Sequence, residues 1–132
     1  MMNQKGYIAL ISVLVVLALA VLIASSANLA SISESDMGLK EQQSWEAFYL
    51  ASACAEHSLM SLKEDLGGYM GNETLTFTNG ECKIENVDGV GNKNRVVKVS
   101  GSAHGFTRKI KVEINTVTPG TDIESWEEVL NF

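Results

Sequence analysis

Between Lys5 and Glu34 the chain carries no charged residue at all. No glycine lies between Gly6 and Gly38, and the single proline, Pro119, comes near the end. The usual helix breakers are therefore absent from residues 7–37. Cysteine is limited to Cys54 and Cys82, which excludes a disulfide-dense scaffold and a cysteine-rich metal site. His57 and His104 are the only histidines, and neither has a Cys, His or carboxylate at metal-ligand spacing. No metal and no cofactor is expected. Basic residues are also scarce. All sixteen Asp and Glu, and all but one of the ten Lys and Arg, follow the uncharged stretch, so the remainder is acidic. Phosphate binding needs clustered Lys and Arg, so nucleic acid is not expected as the main partner.

What fills the uncharged stretch is apolar. Tyr7–Ala24 reads YIALISVLVVLALAVLIA, with Ser12 as its one clearly polar side chain. A run of about 18 such residues has the length of a membrane-spanning helix. A secretory signal has a shorter apolar core followed by a small-residue cleavage site. Here the sequence stays helix-compatible, so the segment reads as retained. Lys5 precedes the run and the bulk of the chain follows it, which places the leader in the cytoplasm and the rest outside. For an exported domain, two cysteines point to one disulfide, Cys54–Cys82; two buried thiols are the alternative.

From Glu34 the helical pattern becomes amphipathic. Trp45, Phe48, Ala51 or Ser52, Ala55, Leu59, Leu62 and Leu66 recur every three or four residues as one apolar stripe. Gly67-Gly68 is a stop signal. A helix from Tyr7 to Leu66 would measure roughly 90 Å, with Gly38 as the expected bend or break. The period then changes. Thr74–Thr78 alternates and precedes Asn79-Gly80, a two-residue hairpin signal. Cys82–Val87, Arg95–Ser100 and Phe106–Val117 alternate as well. Asp122–Phe132 reads as a tail docking through a short helical turn. The expected fold is α+β: a long helix, first transmembrane and then amphipathic, packed on about four antiparallel strands.

This combination of a short leader ending in Lys5-Gly6, an apolar helix with its amphipathic extension, and a small sheet resembles the type IV pilins and pseudopilins. The resemblance implies a leader of residues 1–6, a filament-core helix over 7–30 and an extracytoplasmic head over 31–132. It implies cleavage after Gly6 by a prepilin peptidase, then methylation of the new amino terminus at Tyr7. Its partners would be other pilin-like subunits in a helical filament, an inner-membrane assembly platform, and the bilayer before assembly. The chain departs from the family at Ile11, where a glutamate usually stands. In the family that glutamate pairs with a neighbouring subunit's amino terminus inside the apolar core, where an unpaired charge is costly. A subunit with nothing above it does not need one. The tip-located minor pseudopilin of type II secretion systems also lacks it, so the expectation is a minor, priming or tip-associated subunit. A major pilin of a divergent lineage and a membrane-anchored, adhesin-like binding domain are the alternatives.

Other chemistry reads weakly. Cys54 and His57 lie three apart on a helix, but no third group orients them as a catalytic pair, and no enzyme activity is expected. Asp88, Asn92 and Asn94 lack the glutamate and spacing of a calcium loop. Asn72-Glu73-Thr74 matches a glycosylation sequon. Arg95, Lys98, Arg108, Lys109 and Lys111 read as a solvated sheet face.

Overall fold

The computed structural model describes residues 2–132, with side chains from residue 4 onward. One helix, α1 (Met2–Glu64), is followed by strands β1 (Gly71–Phe77), β2 (Gly80–Asn86), β3 (Lys93–Ala103), β4 (Phe106–Thr116) and β5 (Asp122–Val129). The strands form one antiparallel sheet in the order β1-β2-β3-β4-β5. The fold is α+β as expected, with five strands in place of about four. The chain divides into two compact units, Met1–Lys40 and Glu41–Phe132.

The first unit is helical throughout its described residues, and its side chains are exposed from Gln4 on. Helical structure continues through Gly38 without a break.

In the second unit, α1 packs on one face of the sheet. Alternation in β3 turns Val97, Val99, Gly101 and Ala103 inward, and β4 adds Ile110, Val112 and Ile114. From α1 come Ala47, Leu50, Ala51, Cys54, Ala55 and Leu62. The buried stripe is rotated from the one expected. Trp45 is 44% exposed, and Phe48 and Leu59 are only partly covered. Small residues hold the centre because the helix comes close to β3. A β-carbon on Gly101 would run into the carbonyl oxygen of Ala47 and the amide nitrogen of Ala51. Bulky aromatics fit only on the flank of such a contact.

Two tight hairpins set the register. Phe77 pairs with Gly80, so the first loop is Thr78-Asn79, one residue earlier than the expected Asn79-Gly80. Gly80 opens the next strand, and it is glycine there because a β-carbon would meet the Ser102 carbonyl and stand 2.8 Å from Leu50 Cδ1. Ala103 pairs with Phe106 around His104-Gly105, whose φ values of 52° and 82° are the pair of positive angles a type I′ turn needs.

The expected helical turn at the tail is instead β5. Ile123 and Trp126, spaced by three, imitate a helix. The ladder explains the spacing. Glu113 pairs with Ser125 but Ile114 pairs with Ile123, so Glu124 is an extra residue in β5. That shift brings Ile123 and Trp126 opposite Ile114 and Val112, on the same face of the sheet.

Candidate functional site

The residues with the most specific sequence signal lie in the first unit. Gly6, Tyr7 and Ile11 are all helical, with Tyr7 65% and Ile11 40% exposed. Gly6 has no structural reason to be glycine: a β-carbon there would meet nothing within 4 Å, and its φ is not positive. Glycine in a helix interior costs about 1 kcal/mol relative to alanine. Met1, the first residue of the expected leader, lies outside the described residues. The helix reaches a mean hydropathy of 3.0 over an 18-residue window, none of which is buried. It is long and apolar enough to cross a membrane. Three of its serines bond within the helix. Ser12 donates to the Ile8 carbonyl, Ser25 to Val21 and Ser26 to Leu22, each at 2.8 Å. Serine bonded back to the i−4 carbonyl leaves no hydroxyl needing water, which suits a lipid environment.

In the second unit Cys54 and Cys82 form a disulfide, with their Cα atoms 6.2 Å apart and both side chains fully buried. It ties α1 to β2. The Cys54 sulfur is thereby committed, which removes it as a nucleophile for His57 to activate.

Each histidine faces one carboxylate. His57 Nε2 lies 3.0 Å from Glu73 Oε1, and the Tyr69 hydroxyl donates to the same oxygen at 2.8 Å. Ser58, fully buried, approaches Tyr69 at 3.4 Å. Burial pushes the Tyr69 phenol up to about 12, with the nearby Glu73 carboxylate adding to the rise. His104 Nε2 lies 2.8 Å from Glu46 Oε2, which also accepts from Asn79 at 3.4 Å. A single carboxylate on α1 thus holds both hairpin loops. Among the described residues no three of His, Cys, Asp and Glu gather as a metal site.

The basic residues do not form one solvated face. Arg95 is buried, 2% exposed, and donates to the carbonyls of Asp88 (3.1 Å), Leu66 (3.2 Å) and Gly91 (2.9 Å). It closes the end of α1 and fixes the Asp88–Gly91 loop. Arg108, also on the helix side, pairs bidentately with Glu128, donates to Ser44, and lies 5.5 Å from the rings of both Trp45 and Phe48. The hydrogen bond raises Arg108 above its ordinary value and holds Glu128 below the usual carboxylate range. Lys98 and Lys111 stand opposite each other on the outer face and bind Asp88 (3.0 Å) and Glu113 (2.6 Å). The loop that suggested calcium is used up internally: the Asn92 side chain clasps Thr118 through three hydrogen bonds. Asn72 of the sequon is exposed and donates to Asn86 at 3.1 Å.

The buried role of Arg95 has a faint sequence signal, its position at an inward point of the RVVKVS alternation. Compared with protein-family models, curated proteins and solved structures, the chain matches none.

Proposed function

We propose that this chain is a non-enzymatic structural subunit of a type IV pilus or type II secretion pseudopilus, acting as a minor or priming subunit. It would be a single-pass membrane protein with a cytoplasmic amino terminus. Its head would lie outside the membrane, and its apolar helix would later pack laterally against other pilin-like subunits. The observation that carries this reading is the continuity of α1: one helix holds the lipid-length apolar run and the residues that cover the sheet. A merely tethered domain would ordinarily be joined by a flexible linker.

Three features support it. Gly6 carries the helix cost of glycine with no packing reason, as a processing site would. The disulfide fits an oxidising compartment outside the cytoplasm. Ile11 favours a specialised position over the bulk of the filament, because it offers no carboxylate to a neighbour's amino terminus. The test is fractionation after shearing. A filament subunit is released with the sheared material, whereas an anchored adhesin-like domain stays with the membrane. If this chain were the dominant subunit along the filament, the minor-subunit assignment would be wrong.

A further inference from the structure

The two edge strands of the sheet are built differently. Strand β5 holds an extra residue, Glu124, that interrupts its ladder, and it is rich in carboxylates. Bulges and charged side chains are what keep a sheet edge from pairing with other chains. Strand β1 has no such protection. From Glu73 to Phe77 its ladder with β2 runs without a shift, and the strand contains no lysine, arginine or proline. Its single charge, Glu73, is engaged by His57 and Tyr69. The positive-φ residues Gly71 and Asn72 precede this regular stretch.

The hairpin fixes which main-chain groups face outward. Phe77 and Gly80 close a two-residue loop and so form a hydrogen-bonded pair. Alternation makes Leu75–Cys82 and Glu73–Ile84 hydrogen-bonded pairs as well. The N–H and C=O of Thr74 and Thr76 therefore point away from β2, out of the open edge. No turn, loop or cap among the described residues bonds to them, and both threonines are exposed.

We infer that the β1 edge, from Glu73 to Phe77, is a docking site for an extended segment of another protein, added as a sixth strand. The main chain selects this occupant: donors and acceptors alternating at strand spacing are matched by the backbone of another strand. The side chains set its pattern. On one face the added residues meet Leu75, which packs on the core, and Phe77, 39% exposed, so apolar residues fit there. On the other face they meet Thr74 and Thr76, which suits Thr or Val. A second copy of this chain fits less well. Antiparallel pairing of two β1 edges would run one α1 opposite to the other, although both are preceded by an apolar run suited to a membrane.

The test uses the full-length chain in detergent micelles, with amide hydrogen exchange read by NMR. The probe is a capped hexapeptide of alternating Thr and Val. Saturating peptide should slow exchange of the Thr74 and Thr76 amides by roughly tenfold or more and leave the β5 amides unchanged. N-methylation of alternate peptide amides should abolish this protection in one phase and spare it in the other, because only one set faces β1. Thr76→Pro removes an outward donor without touching the β1–β2 ladder. It should weaken the peptide's protection of Thr74 by roughly tenfold, with the fold checked by circular dichroism. No protection, equal protection along β5, or equal behaviour of the two N-methylated peptides would overturn the inference. Concentration-dependent protection without peptide would overturn the assignment to another protein in favour of a second copy.

Discussion

Gly101 on β3 lies directly against Ala51 on α1: a β-carbon built on the glycine would stand 3.0 Å from Ala51 Cα. The atoms it would meet are main chain of a regular helix, and the glycine sits in a regular strand, so neither side yields cheaply. Gly101→Ala is expected to lower stability by about 1–3 kcal/mol, as overpacking does, despite the better strand propensity of alanine. Gly120, where the space is open and φ is not positive, is the control. Gly120→Ala should be neutral or slightly stabilising. Thermal unfolding of the two variants makes the comparison.

Arg95 is expected to be the most damaging basic residue to replace. Arg95→Met keeps the stem but removes the donors to Leu66, Asp88 and Gly91. Leaving buried carbonyls without partners costs about 1–3 kcal/mol. Limited proteolysis should show cutting in the Asp88–Gly91 loop at protease levels that leave the parent chain intact. Lys109→Met, on the outer face, should change neither readout.

Reduction of Cys54–Cys82 should cost roughly 3–4 kcal/mol, the loop-entropy estimate for closing a loop of this size. The bridge is fully buried, so reductant alone should act slowly under native conditions and quickly in mild denaturant. Denaturant melts of the parent chain and a Cys54→Ala/Cys82→Ala double variant measure the loss.

The Tyr69 phenol predicts an alkaline limb. Its folded value is raised from 10.0 to about 12, so the native state keeps a proton that the unfolded chain has released. Stability from this group is complete below about pH 10 and is lost as pH rises toward 12. Tyr69→Phe should flatten that limb, and ultraviolet titration should show one late-ionising tyrosine in the parent that is missing from the variant.

Much of this architecture was legible in the chain, for local reasons. The apolar run, the missing helix breakers and the period-two strands each depend on nearby residues, and α1 and β1 to β4 follow from them. What escaped depends on tertiary partners. Trp45, Phe48 and Leu59 looked like the centre of the helix stripe, but the close approach at Gly101 moved that centre to Ala47, Ala51 and Ala55. The tail read as a helical turn because its pairing partner, β4, is not displayed by its own residues, and the extra residue Glu124 breaks the period of two near its start. Arg95 was read with the other basic residues as part of a solvated sheet face; its partners are main-chain carbonyls, which sequence does not display. At the junction proposed for processing the reverse holds. Gly6, Tyr7 and Ile11 were singled out from sequence, and the structure adds that Gly6 is not needed for packing.

The most direct measurement is mass spectrometry of the mature amino terminus on material sheared from cells that express the chain. A subunit processed for filament assembly begins at a methylated Tyr7, with residues 1–6 gone. An intact leader starting at Met1, found in the membrane fraction and missing from the sheared fraction, would contradict the pilin-like assignment and leave an ordinary anchored domain.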